Sequence, residues 1–187
     1  MGNSNTIVYK MPKDQILKID MCLCAQPRQT LEQFYAQCEV KPTLLCNGGF
    51  FSMSDGATCF NYKDNGVSIS STDIALEGFG ITADGKLQLG FANNPMFNDF
   101  VSGYPVLIKD GKAYSSSLGS EINYKARRTV LGYNDDYVFL VAVEKPGFTF
   151  IELQNYLLGL GITQAINLDG GGSTRILKNG ELVTKEK

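Results

Sequence analysis

The stretch Tyr137-Val-Phe-Leu-Val-Ala-Val143 is the longest strongly apolar run in the chain, and it decides the fold. Its apolar residues are continuous rather than alternating, which is typical of a β-strand covered on both faces. The turn residues Asn134-Asp-Asp136 stand between this run and a second strand-like segment at residues 129–133. The sequence therefore predicts a hairpin whose second strand is buried on both sides.

Three further hairpins are predicted by dipeptides that stand between short apolar segments. These dipeptides are Asp84-Gly85, Asp110-Gly111 and Asn179-Gly180. Asp-Gly and Asn-Gly are favoured in two-residue hairpin turns, because both turn positions need a positive φ. The chain is therefore expected to be rich in short antiparallel strands.

Two segments carry the periodicity of an amphipathic helix. Apolar residues recur at i, i+3, i+4 and i+7 from Leu31, and Thr30 begins a capping-box pattern before them. The second stripe starts at Phe150, and Thr149 begins its capping box. We predict an α+β fold: a mainly antiparallel or mixed β-sheet with several hairpins, covered by two main helices. Nothing marks a boundary, so residues 1–187 are expected to form a single domain.

Composition excludes several classes of active site. The 187 residues carry 17 Lys and Arg against 19 Asp and Glu, a net charge of −2, and contain no His. Catalytic Ser-His-Asp triads, Cys-His dyads and HExxH zinc sites are therefore excluded. The five cysteines form no CxxC pair, which argues against a structural zinc site and a closed disulfide framework.

The location of the protein is predicted from its apolar segments. Charged residues interrupt the first twenty positions, so no signal-peptide core is recognised, and the run at residues 137–143 is too short to span a membrane. We therefore expect a cytoplasmic protein without a membrane span. The near-neutral charge argues against a nucleic-acid polymer as a partner. The oligomeric state is not predicted.

Two glycine-rich segments are candidates for chemistry. Asn167-Leu-Asp-Gly-Gly-Gly-Ser-Thr174 places the carboxylate of Asp169 after a buried strand, beside glycines that can present consecutive N–H groups to an anion. Asn47-Gly-Gly-Phe-Phe-Ser52 repeats the design, since it also follows a helix and a short strand. No Lys follows the glycines, which excludes a P-loop. The glycines are equally well explained by a β-bulge or a tight corner without a ligand. The aromatic rings are also explained by filling the core.

Charged residues near apolar segments supply further candidates. Arg127-Arg128-Thr129 precedes a strand that looks buried, and a guanidinium there can bind a phosphate with two parallel hydrogen bonds. Glu77 and Glu144 lie beside apolar runs, and Glu144 follows the central strand directly. A surface basic pair and solvated strand ends remain the alternative readings.

Four ordered motifs resemble the phosphodiester glycosidase family. They are Asn47-Gly-Gly-Phe-Phe51, Ser102-Gly-Tyr-Pro105, Arg128-Thr-Val-Leu-Gly132 and Asn167-Leu-Asp-Gly-Gly-Gly-Ser173. The resemblance spans about residues 14–183. It implies an enzyme that releases a sugar, typically N-acetylglucosamine, from its anomeric phosphodiester. Family members are usually exported and often carry extra domains, whereas this chain looks like a catalytic core without a leader.

The resemblance also implies roles for the candidate residues. Asp169 is expected to act on water or on the anomeric carbon, Arg128 to bind the phosphate, and Glu77 or Glu144 to supply a second carboxylate. A departing phosphate monoester carries charge that arginine and backbone N–H groups stabilise, so a site without His is chemically reasonable. The expected substrate-binding residues are Asn47, Gly48, Gly49, Phe50, Phe51, Tyr104, Thr129, Asn167, Gly170, Gly171, Gly172, Ser173 and Thr174.

Two other functions remain open on the sequence. The first is degradation of a nucleotide-derived phosphodiester signal, of the cyclic dinucleotide or cyclic ADP-ribose type, with Phe50, Phe51 and Tyr104 stacking on a base. An enzyme of that kind could be a viral protein that removes a host signal. The second is a non-catalytic binder of such a ligand. No cofactor is expected to be required, although a divalent ion is compatible with the site.

Overall fold

Most strands in the described part of this protein are short, and they form three antiparallel sheets. The structure is a computed structural model, and it describes residues 5–23, 28–70, 73–114, 119 and 121–185. Its strands are β1 (Thr6–Pro12), β2 (Leu44–Cys46), β3 (Asn61–Asp64), β4 (Val67–Ser70), β5 (Gly78–Thr82), β6 (Leu87–Gly90), β7 (Phe97–Ser102), β8 (Val106–Lys109), β9 (Lys112–Ala113), β10 (Ala126–Tyr133), β11 (Tyr137–Phe148), β12 (Gln164–Asn167), β13 (Ile176–Lys178) and β14 (Glu181–Leu182). Its helices are α1 (Leu31–Gln37) and α2 (Phe150–Gly159), with 3-10 turns at Lys13–Gln15 and Gly171–Ser173.

The long strand β11 organises the largest sheet, as the apolar run predicts. That sheet has the order β1-β11-β10-β12-β8-β9, and all of its pairings are antiparallel. Val141 of β11 lies opposite Val8 on β1 and opposite Val130 on β10. The order of the second sheet is β14-β13-β2, and that of the third is β4-β3-β7-β5-β6.

Both faces of β11 are covered, which confirms the prediction made for residues 137–143. Val141 packs in one cluster with Leu153 and Leu157 of α2. On the opposite face, Ala142 packs against Ile176 of β13. Val138, on the same face as Ala142, packs in a cluster with Phe79 of β5. The second and third sheets therefore cover one face of the large sheet, and α2 covers the other.

Local signals at turns and helix starts are also confirmed. The capping boxes of Thr30 and Thr149 both form, each with the side chain three residues later. The four predicted hairpins form as β5–β6, β8–β9, β10–β11 and β13–β14. A fifth hairpin, β3–β4, turns at Asn65-Gly66 and was not predicted. The α+β architecture with two main helices is confirmed. Within the described residues, every helix is too short to cross a bilayer.

The fold places a close contact at Gly80 in β5, which generates a first prediction. A Cβ at this position would lie 2.1 Å from Cγ of the buried Phe97 ring. Gly80→Ala is expected to lower the free energy of unfolding by about 1–3 kcal/mol, because the ring has to move within a packed core. Urea denaturation measures the change.

Gly159→Ala is the matched control, because nothing lies within 4 Å of a Cβ at the end of α2. This change should be neutral or stabilise by up to about 1 kcal/mol, since alanine restricts the unfolded chain. Equal stability of the two variants would contradict the proposed contact.

Candidate active site

The two glycine-rich segments of the sequence meet in the structure. The Asn47 side chain, just after β2, donates from Nδ2 to the carbonyl oxygen of Asp169 at 2.7 Å. In return, the backbone N–H of Asp169 donates to the carbonyl oxygen of Gly48 at 3.1 Å. The ends of β2 and β12 are therefore joined, although these strands belong to different sheets.

Asn47 also holds a third segment. Its Oδ1 accepts from Thr129 Oγ1 at 2.9 Å and from the backbone N–H of Arg175 at 3.1 Å. Thr129 is fully buried in β10. One amide side chain thus connects β10, the end of β2 and the segment that follows β12.

Residues 170–172, here named the glycine turn, need glycine at two positions. A Cβ at Gly170 would lie 2.7 Å from the carbonyl oxygen of Arg127, and Gly171 has a φ of +57°. The N–H of Gly170 donates to Oδ1 of Asp169 at 2.8 Å. The turn therefore orients the half-buried carboxylate of Asp169, and the N–H of Ser173 closes it on the carbonyl of Gly170 at 3.0 Å.

The Arg127 side chain, rather than that of Arg128, bonds to the segment that follows the glycine turn. Its Nη2 donates to the carbonyl oxygens of Thr174 at 2.9 Å and Lys185 at 3.0 Å. Arg127 is also among the residues that line the same depression as Gly171 and Gly172. The sequence motif indicates the Arg127-Arg128 pair and predicts the phosphate contact for Arg128 rather than for Arg127.

Arg128 is directed toward the face covered by α2. Its Nη2 donates to the carbonyl of Tyr124 at 2.7 Å, and its Nε donates to that of Phe148 at 3.3 Å. The guanidinium carbon lies 3.8 Å from the centroid of the Phe150 ring. Burial lowers the pKa of Arg128 from its usual value. The expected meeting of Arg128 with the glycine turn is therefore corrected: neighbouring residues of a strand point to opposite faces, and Arg128 takes the other one.

A broad depression of about 710 Å³ opens beside the glycine turn. We name it the basic hollow, and its lining includes Lys125, Arg127, Lys145, Gly171 and Gly172. Lys125 is exposed and lies 3.3 Å from a carboxylate oxygen of Glu152. Three cationic side chains around a turn of glycine N–H groups are suited to an anionic ligand. The two lysines were missed in the sequence because isolated surface lysines carry no motif.

The two other predicted carboxylates occupy different places. Glu144 is buried on the side of the basic hollow, where Oε1 accepts from the backbone N–H of Lys185 and lies 4.0 Å from Nη2 of Arg127. Glu77 instead pairs with Lys109, with Oε1 and Nζ 2.7 Å apart. That hydrogen bond raises the pKa of Lys109. Glu77 lines a second, smaller groove.

The three aromatic candidates, like the two carboxylates, lie in different places. Phe50 stacks edge to face with Phe60, with ring centroids 6.0 Å apart, and Phe51 forms a β-bridge with Thr58. Tyr104 is exposed and lines the smaller groove with Glu77.

Polar atoms at both ends of the site remain unpaired. Asn167 donates from Nδ2 to the carbonyl of Tyr104 at 2.8 Å, but its buried Oδ1 has no partner among the described residues. In the same described part of the chain, the buried Oγ1 of Thr174 also lacks a hydrogen-bond partner.

Gly49 has a packing role, because a Cβ there would lie 3.2 Å from Cγ2 of Val101. Within the described ranges, no three acidic or thiol side chains gather as a metal site.

The fold and the site together define a class of protein. It is an α+β protein that holds a carboxylate after a buried strand, followed by a glycine turn that lines a basic hollow. Comparison with known sequences names the family: the phosphodiester glycosidase profile matches residues 41–187, and the chain belongs to this family.

Relatives from Mus musculus and Bos taurus are both named N-acetylglucosamine-1-phosphodiester alpha-N-acetylglucosaminidase. They are 29% and 31% identical to this chain over 192 and 170 residues. The alignments cover 86% and 76% of the chain but only 36% and 32% of the relatives. The chain thus spans about a third of the length of the curated relatives it matches.

Solved structures show the same fold. The catalytic domain of the zebrafish protein of that name, auto-inhibited by its pro-peptide, has a TM-score of 0.66 at 24% identity, over 78% of this chain and 56% of that one. A hypothetical protein from Synechocystis has a TM-score of 0.61 at 12% identity, over 98% and 54% of the two chains.

The bonds of Asn47 generate the second prediction. Asn47→Ala removes the partner of the buried Thr129 hydroxyl and of two backbone groups. We expect the free energy of unfolding to fall by at least about 2 kcal/mol, because each unsatisfied buried group costs about 1–3 kcal/mol. Chemical denaturation measures this loss.

Asn98→Ala is the control, since Asn98 is exposed in β7. It should change stability by less than about 0.5 kcal/mol. If Asn47→Ala were as stable as this control, the joining role of Asn47 would be rejected.

Proposed function

We propose that this chain hydrolyses a phosphodiester that links a phosphate to the anomeric carbon of a sugar. The observation that carries the proposal is the Asp169 carboxylate, which the N–H of Gly170 orients. Asp169 stands two residues before Gly171, the first of the glycines that line the basic hollow. Family membership supports the same reaction class. The names of the relatives favour N-acetylglucosamine as the sugar.

The chemistry requires a bond between the anomeric carbon and a phosphate oxygen to break. The transition state resembles an oxocarbenium ion, and the oxygen of water ends on the anomeric carbon. Asp169 would act on that water or directly on the carbon. The departing phosphate monoester leaves with its negative charge, which the N–H groups of the glycine turn and the cations of the basic hollow stabilise.

The remaining residues support this centre. Arg127 would contact the phosphate from the wall of the basic hollow, while Asn47 and Thr129 hold the glycine turn in place. Glu144 is the better placed second carboxylate, because it lies on the side of Arg127, whereas Glu77 lies in the other groove. Ser173 and Thr174 would add hydroxyl donors at the end of the turn.

Substitution of the carboxylate tests the catalytic assignment. Asp169→Asn keeps the size of the side chain and one oxygen for the N–H of Gly170, but it removes the charge. We expect turnover to fall at least 100-fold, as for loss of a catalytic acid or base, with ligand binding retained. Release of N-acetylglucosamine from its 1-phosphate methyl diester measures turnover, and calorimetry measures binding.

Asp135→Asn serves as the control, because Asp135 is exposed in the β10–β11 turn. Its turnover should equal that of the wild type. Undiminished turnover in Asp169→Asn would reject the catalytic role. Tight, reversible binding without product in the wild type would identify a binder in place of an enzyme.

A pair of arginine variants tests which guanidinium contacts the phosphate. Lysine keeps the charge of arginine but loses its two-pronged hydrogen bonding. We expect Arg127→Lys to raise KM about 10-fold or more, and Arg128→Lys to lower the melting temperature while KM stays within about twofold. Steady-state kinetics and thermal unfolding on the same preparations distinguish the two effects. A raised KM in Arg128→Lys alone would return the phosphate contact to Arg128.

A second candidate substrate is a nucleotide-derived phosphodiester, acted on in the cytoplasm. It is favoured by the exposed Tyr104, whose backbone is bonded to Asn167 just before Asp169. A panel that contains a sugar phosphodiester, a UDP-sugar and cyclic nucleotides compares the two candidates through product formation.

A further inference from the structure

A small groove lies at the backbone that leads into the glycine turn. Three aromatic side chains border it, and they are unusually open to solvent: Phe91 is 43% exposed, Tyr104 48% and Tyr114 48%. The volume is about 230 Å³. We name this site the aromatic groove.

The rest of the lining is mostly apolar. Ala75, Leu76, Pro105 and Val106 contribute to it, and Glu77 supplies a carboxylate. The Nζ of Lys109 pairs with Glu77 and lies 4.7 Å from the centroid of the Tyr114 ring. The groove therefore combines aromatic faces with a single carboxylate and ammonium pair.

The backbone connects the aromatic groove to the candidate active site. The N–H of Tyr104 donates to the carbonyl of Asn167 at 2.9 Å, and the Asn167 side chain donates back to the carbonyl of Tyr104 at 2.8 Å. Asp169 follows two residues later, so its Cα lies at most about 7 Å from that of Asn167. In the sequence, Asp169 therefore lies between Asn167, which bonds to Tyr104 of the aromatic groove, and the glycines that line the basic hollow.

We propose that the aromatic groove binds a nucleobase carried by the substrate, whose phosphate lies at the glycine turn. This inference rests on the proposed phosphodiester hydrolysis and names the substrate class more narrowly. The substrate is then a nucleotide-containing phosphodiester.

The chemistry of the lining favours a base over a second sugar. A sugar ring carries hydroxyl groups around its edge, and each one loses hydrogen bonds to water when it enters an apolar groove. A nucleobase has apolar faces that stack on aromatic side chains, and it keeps its few polar atoms at one edge. Glu77 and Lys109 provide one acceptor and one donor for such an edge.

Ligand-observed NMR titrations of the full chain with adenosine, AMP, UMP and ribose 5-phosphate test the proposal. We expect AMP and UMP to bind at least fivefold more tightly than ribose 5-phosphate, because stacking on aromatic side chains strengthens binding of any base. Tyr104→Leu should abolish most of this preference, and Tyr104→Phe should retain it. Ile151→Ala removes an exposed apolar side chain from α2 and is the control. Thermal unfolding verifies that each variant folds.

The outcomes separate the two proposals. Equal affinity for AMP, UMP and ribose 5-phosphate, or no affinity for adenosine and both nucleotides, would overturn the base-binding role. Retention of the preference in a folded Tyr104→Leu variant would overturn it as well. If Tyr104→Leu weakens adenosine and AMP alike while Arg127→Lys leaves AMP unchanged, the groove is supported and the phosphate contact of Arg127 fails.

Discussion

The side-chain amide of Asn47 is the interaction on which the candidate site depends. It bonds to residues that lie 82, 122 and 128 positions away along the chain. β2 belongs to the small sheet, whereas β10 and β12 belong to the large one. An amide suits this position because it donates and accepts at once, which a carboxylate and an aliphatic side chain cannot do. The glycine turn therefore takes its position from both sheets.

Side chains alternate between the two faces of β10, and this alternation gives the neighbouring Arg127 and Arg128 different roles. Thr129 points toward Asn47, while Val130 packs in the core under α2. Arg127 and Arg128 follow the same alternation, so one guanidinium bonds to the carbonyl of Thr174 and the other is buried against Phe150. The pairing with β11 shifts register between Ala126 and Arg128. This irregularity lies where Arg127 leaves the ladder, next to the glycine turn.

Features with local physical causes could be predicted from the sequence, and features set by distant packing could not. Asp110-Gly111 predicts its hairpin because both residues adopt a positive φ, at 51° and 71°. Asn65-Gly66 carries the same signal, but its hairpin was missed because the polar flanking strands show no apolar segments. The glycine turn and Asp169 could be identified from one motif. The direction of Arg127 could not, because the alternation of a strand does not say which face the helix will cover.

The buried charges beside the basic hollow are held in place by the fold, as the proposed binding of an anionic substrate requires. Burying Arg127 and Glu144 costs solvation that their mutual attraction at 4.0 Å offsets only in part. Backbone groups of Thr174 and Lys185 supply further hydrogen bonds, so both charges are held by the fold itself. A guanidinium fixed in this way loses little conformational entropy when an anion binds. The exposed Lys125 and Lys145 add positive charge without that burial cost, so the lining of the basic hollow combines one buried, paired cation with two solvated ones.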